Sequence, residues 1–392
     1  MTPRAITGLG ITSALGIGTE AFFHGMKSGQ RVSERPPAPV TSFDATSYGE
    51  RSRAVVEVPE FDPTKYLGDK GLRTLDRLTK LLVVAARLCL HDAGLKKDGQ
   101  WVTLGPDKVG VCSSNAYGSL EAITELDRVA KLEDARYINP AKFPNTVSNS
   151  ASGYVSIWEE LRAMNVSVSD GNCGALDAVS CADIFLGTDR ADAILTGGGE
   201  AMSEALFLAF EKLGMLGAAT AGRAGTRLGE GSAYLMLEPS DRAKARGARV
   251  LGNVVGYGTS FIAPEAESLL IFASARAIER AIAQALEDAG VDAKDIDVVA
   301  SSVSGLARFD DEELGAIEKV LGKTPVAAPK LVLGETLGAG GAMGMASALA
   351  WFDGAPVSPV VRGDAPKKVD KVLVTSVGYY GNASAVVMEA QG

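Results

Sequence analysis

Residues 166–179 read VSVSDGNCGALDAV. A short β-branched run, VSVS, enters a Gly-containing turn, and a helix of small residues, GALDAVSCADIFL, leaves it. Such a helix is apolar nearly all round, so no face of it is fit for water and it must be buried. A second stretch, KLVLGETLGAGGAMGMASALAWF (330–352), has the same form: an extended run, a Gly turn, then a helix without a polar face.

Other segments also occur twice. AARLCLHDAGL (85–95) is a helix ending at a glycine, followed by the buried strand PDKVGVCSS (106–114). AIAQALEDAGV (281–291) and AKDIDVVASSVS (293–304) repeat that pair. ADAILTGGGEA (191–201) with GSAYLMLEP (231–239) is matched by DKVLVTSVGYYG (370–381) with NASAVVMEA (382–390). Helices alternating with all-apolar strands imply sheets covered on both faces. Two copies imply two stacked sheets, in layers α-β-α-β-α, with halves 1–245 and 246–392. Each half sends one helix into a shared middle layer. The electropositive N-termini of these two helices are expected to converge on one site, with Asn172 at one tip and the Gly334–Glu335 turn at the other.

The bulk numbers narrow the function. The chain has 392 residues and a formal charge of −9, which argues against nucleic acid, a partner that needs a basic footprint. No apolar run is long enough to span a bilayer, and the N-terminus lacks the pattern of a signal peptide. A cytoplasmic address follows as the expectation. The four cysteines, Cys89, Cys112, Cys173 and Cys181, form no zinc-binding spacing, so no metal is expected. The two histidines, His24 and His91, sit in ordinary helical patterns, which removes most imidazole mechanisms. GLGITSALGIG (8–18) imitates a dinucleotide loop, but Ser13 stands where the third glycine belongs.

Taken in order, these segments resemble the β-ketoacyl synthases, condensing enzymes of the thiolase fold. The likeness is carried by ITGLGITSALG, EAFFHGMKSG, DRLTKLLVVAARLCLHDAGL, FPNTVSNSASGYVSIWEELRAMN, ADAILTGGGEA and GEGSAYLMLEPSDRAKARG. GALDAV looks most like the ketosynthases of type II polyketide systems. The resemblance implies a Cys-His-His triad, and here the chain departs from it. Asn172 stands at the cysteine position, Ser302 at the first histidine and Glu335 at the second, while Lys330 of the second motif is retained.

An amide is a poor nucleophile, Ser302 is a weaker donor than imidazole, and an ionised Glu335 opposes negative charge developing in a decarboxylation. The structural alternatives are an N-cap for Asn172 and an ion pair of Glu335 with Lys330. The resemblance therefore implies a non-catalytic subunit, the chain-length factor. It would pair with an active ketosynthase as a heterodimer and shape a tunnel fed by the phosphopantetheine arm of an acyl carrier protein. No other cofactor is implied. Tyr117, Leu120 and Ile123 recur at helical spacing and are the candidate tunnel or interface residues, and Tyr379 of GYYG aligns with the gating aromatic. The competing reading is an active acyltransferase, hydrolase or cyclase that uses Cys173 as nucleophile.

Overall fold

The computed structural model describes residues 1–217, 225–266 and 271–392. The first half contributes strands β1 (Arg4–Ser13), β2 (Val109–Ser114), β3 (Asn165–Val168), β4 (Ala193–Glu200) and β5 (Gly231–Pro239). The second contributes β6 (Gly252–Phe261), β7 (Val298–Ala300), β8 (Val326–Ala327), β9 (Lys371–Val377) and β10 (Asn382–Glu389). Their spatial orders are β1-β5-β4-β2-β3 and β6-β10-β9-β7-β8. In both, the first two pairings are antiparallel and the last two parallel. The internal repeat is thus a repeat of topology.

The two half-sheets are joined at one edge. Arg4–Ile6 of β1 pairs antiparallel with Gly252–Val254 of β6, so among the described residues one twelve-stranded sheet runs through both halves. It folds over the two helices that the sequence marked as buried, α3 (Gly174–Gly187) and α6 (Gly340–Phe352). Each of these touches strands of both halves, and they touch each other. Every residue from Gly340 to Trp351 is buried. The small residues have a reason. A Cβ on Gly341 would lie 2.7 Å from Leu176 Cγ, so any larger residue would push the middle helices apart.

The outer layers are amphipathic. α1 (Arg77–Asp92) covers β1, β5 and β4. α4 (Ala275–Ala289), packed on α5 (Ala307–Leu321), covers β6 and β10. Asp76 caps α1 by accepting from Thr79 N at 2.7 Å, and Ser274 caps α4 through Ala277 N at 3.3 Å. The chain leaves both helices through left-handed glycines, Gly94 and Gly290. The first two dinucleotide-like glycines serve close packing on α1 instead: a Cβ on Gly8 would lie 2.7 Å from Ala93 N, and one on Gly10 1.9 Å from Ala85 O.

One local expectation fails. Residues 330–333, read as an extended run, form a single helical turn, Lys330–Leu333. Pro329, at φ −54°, sets the helical conformation, and Gly334 at φ 85° ends it. The strand lies just before, at Val326–Ala327. Among the described residues, no helix is long and apolar enough to cross a membrane.

Candidate functional site

The two buried helices bring their leading turns together at the centre of the fold. In the first turn, Gly171 at φ 54° lets the chain bend from β3 into a 3-10 turn, Gly171–Cys173, that runs on into α3. Asn172 is 2% exposed. It does not cap the helix, as the structural reading expected. Its Nδ2 reaches across to donate to Val377 O at 3.1 Å, and its Oδ1 has no hydrogen-bond partner among the described residues.

The second turn is crowded with partners. Glu335 is 1% exposed and Lys330 6% exposed, so this ion pair lies out of water. Lys330 Nζ donates at 2.9 Å to the Glu335 carboxylate and at 2.9 Å to Ser302 Oγ. The same carboxylate accepts from Leu337 N at 3.0 Å and from the Tyr379 hydroxyl at 3.1 Å. Its own backbone N–H is held by Arg227 O at 2.7 Å. Leu337 takes a left-handed φ of 46°, a strain that the carboxylate on its N–H helps to hold. The structure therefore brings Asn172, Ser302, Lys330, Glu335 and Tyr379 into one buried polar cluster.

Cys173 lies in the same turn but faces elsewhere. It is wholly buried, and its thiol donates to Ser376 O at 3.4 Å. Burial first, then the neighbouring Asp177 and Asp170 carboxylates, push that thiol well above its ordinary range. A thiol in that setting is the inert, structural kind. His24 and His91 are both exposed, on elements that do not enter the cluster.

The residues expected at a tunnel spread along a surface. Tyr117 precedes α2 (Leu120–Val129), because Ser119 caps that helix by accepting from Ala122 N at 3.2 Å. The helical spacing read from 117 to 123 thus begins only at Leu120. Tyr117 and Leu120 are half-buried against an apolar cluster that includes Phe207, Phe210 and Tyr379. Ile123 is 39% exposed. The hydroxyls of Tyr117 and Tyr380 lie 3.5 Å apart.

Several buried acids escaped the sequence reading. Glu313 of α5 accepts from Ser302 N at 2.9 Å and from the Thr375 hydroxyl at 2.6 Å, so it fixes the Ser302 backbone. Burial pushes its carboxyl up to about 7. Glu200, at the end of β4, accepts from Ala116 N at 2.7 Å and Gly338 N at 3.3 Å, tying the Tyr117 loop to the lead-in of α6. Burial pushes it, too, up to about 7. The available signal was a glutamate ending an apolar strand, GGGE, and another in EELGAI beneath an apolar helix face. No group of three or more His, Cys, Asp or Glu among the described residues is arranged to hold a metal.

Chemically, the cluster holds a neutral amide, two hydroxyls and a mutually satisfied ion pair. None is a nucleophile at neutral pH, and the one cation is already engaged by a carboxylate.

Comparison with known proteins places this geometry. The family model for the β-ketoacyl synthase N-terminal domain matches residues 1–243, and that for the C-terminal domain matches 251–362. The tetracenomycin polyketide synthase ketoacyl synthase beta subunit of Streptomyces glaucescens is 30% identical over 423 residues, covering 100% of this chain and 99% of that protein. The 3-oxoacyl-(acyl-carrier-protein) synthase 2 of Rhizobium meliloti is also 30% identical, over 431 residues, covering 99% of each. The solved ishigamide ketosynthase/chain length factor superposes with a TM-score of 0.88 at 24% identity, covering 100% of both chains, and shares the fold. Equal identity to a beta subunit and to a synthase leaves the finer distinction to the site. On its matched domains, the chain belongs to the β-ketoacyl synthase family.

Proposed function

We propose that this chain is a non-catalytic ketosynthase-like subunit, a chain-length factor, that pairs with an active ketosynthase and bounds the tunnel in which a polyketide grows. The observation that carries the reading is the buried Lys330–Glu335 pair, with Ser302 and Tyr379 bonded to it, beside an amide in place of a thiol. Condensation needs a thiolate to take the acyl chain and neutral donors to stabilise developing negative charge. Here the position that would donate is a carboxylate, and its charge is spent on Lys330.

The surface supports a partner. Ile123, Leu132, Tyr137, Phe143, Val147 and Ile157 are exposed and apolar within one stretch of the chain. β3, the last strand in the sheet order, pairs only with β2 among the described residues. Exposed apolar patches and free strand edges are the features that protein partners cover. The relative named as a beta subunit, matched over its whole length, points the same way. Cys173 gives little support to the enzyme reading, since its thiol is enclosed and raised by burial.

Co-production with a ketosynthase bearing an intact Cys-His-His set tests the proposal. The expected result is a one-to-one complex by native mass spectrometry. Tyr117→Ala or Leu120→Ala in this chain is then expected to lengthen the products. A stable homodimer that ignores the ketosynthase, or unchanged product lengths in both variants, contradicts it.

A further inference from the structure

The geometry points to a latch. Glu335, standing where the family places an imidazole, holds the Tyr379 ring down over Asn172 and keeps the pocket shut against an incoming pantetheine arm. The inference rests on the non-catalytic reading and adds that this chain is closed to substrate as well as unreactive.

Three observations carry it. The polar cluster is sealed: Asn172, Ser302, Lys330 and Glu335 are between 1% and 7% exposed, and Tyr379 is 6% exposed. The seal is built from aromatic rings. Tyr379 packs edge-on against Phe309 at 5.0 Å and against Phe210 at 6.1 Å. The hydroxyl at the far end of that ring is bonded at 3.1 Å to Glu335, which Lys330 and Leu337 N fix in turn. A phenylalanine there would have packing alone. The tyrosine adds a charge-assisted hydrogen bond out of water, the stronger kind. The loop beyond is also anchored: Phe272 N donates to Tyr379 O at 2.9 Å, and Gly381 N donates to Phe272 O at 3.2 Å. A Cβ on Gly171 would lie 3.7 Å from the Tyr380 ring, so the Asn172 turn and the GYYG loop are in contact.

The test uses a thiol as a reporter of access. Asn172→Cys is made in the full chain, alone and combined with Tyr379→Phe or Tyr379→Ala. Each protein is treated with a chloroacetamide-tipped pantetheine, and alkylation of residue 172 is followed by mass spectrometry. Cys173 serves as an internal buried control, and circular dichroism reports folding. The single variant is expected to label slowly. Removing the hydroxyl with Tyr379→Phe is expected to raise the rate by roughly ten-fold or more, as the loss of one charge-assisted bond implies, and Tyr379→Ala to raise it further. Equal rates in the single and Tyr379→Phe proteins overturn the latch. So does a folded Tyr379→Ala protein that stays unlabelled, which would put the barrier elsewhere. If Tyr379→Ala does not fold, the Tyr379→Phe comparison decides. Acylation of the unmodified chain by an acyl-pantetheine is a separate result: it would sink the non-catalytic reading and leave the latch comparison standing.

Discussion

The two turns that lead into the buried helices occupy equivalent places in the duplicated fold, yet they hold their polar residues in opposite ways. At the first, Asn172 donates to Val377 O and sits beside the Tyr379 hydroxyl, and its Oδ1 has no partner among the described residues. At the second, Glu335 is bonded by Lys330, Leu337 N and Tyr379. A neutral amide can be buried with an unmet acceptor for a modest loss. A buried charge cannot, and it persists only where a counter-charge and several donors surround it. The first turn holds a neutral group with few partners, whereas the second is built around a buried charge. The second should therefore carry most of the stability of the site.

The largest expected effect follows from removing the counter-charge. Lys330→Met leaves Glu335 buried without its cation and is expected to destabilise the chain by about 3–5 kcal/mol, read from urea unfolding. Adding Glu335→Met is expected to recover most of that loss, because an apolar pair of similar volume needs no solvation. A double variant as unstable as the single one would break the contrast between the turns.

A smaller effect comes from pH. Burial raises Glu313, which fixes the Ser302 backbone, to about 7, above its value in the unfolded chain. The folded state then holds the proton more tightly than the unfolded state does. The stability this gives is full below about pH 4 and is lost as pH rises towards 7, on the order of 3 kcal/mol. Glu200 and Asp177, each also raised to about 7 by burial, act in the same sense. Glu313→Gln mimics the protonated form, so it is expected to make the decline between about pH 4 and 7 shallower than in the unmodified chain. A steeper decline, or an unchanged one, contradicts the assignment.

The smallest effect is expected at the first turn. Asn172→Ala removes the bond to Val377 O together with the unmet Oδ1, two changes that oppose each other, for a net loss of about 1 kcal/mol or less. Thermal unfolding beside Lys330→Met sharpens the comparison. A loss at Asn172 as large as that at Lys330 would show that the amide turn is held as tightly as the charged one.

Much of this was legible before the fold. The two helices without a polar face announced a buried middle layer, and the paired Gly94 and Gly290 helix ends announced a duplication. Asn172, Ser302 and Glu335 could be singled out from the motifs around them, and Lys330 suggested the ion pair that the structure holds. That Cys173 faces away followed from helical geometry alone. Other features left no local trace. The β1–β6 pairing that joins the half-sheets spans three residue pairs and imposes no periodicity. The Tyr379–Glu335 bond links residues 44 apart, and only tertiary packing brings them together. Tyr117 read as helical because Ser119 was not recognised as the cap that starts the helix after it. Glu200 and Glu313 are buried only because distant apolar elements close over them, which no local pattern announces.

Whether this chain is ever acylated can be read by offering acyl-loaded pantetheine donors to its complex with an active ketosynthase and weighing both polypeptides intact. The expected result is an acyl adduct on the ketosynthase and an unmodified mass for this chain. An acyl group covalently attached to this chain, at Cys173 or anywhere in the Asn172 pocket, would contradict the account.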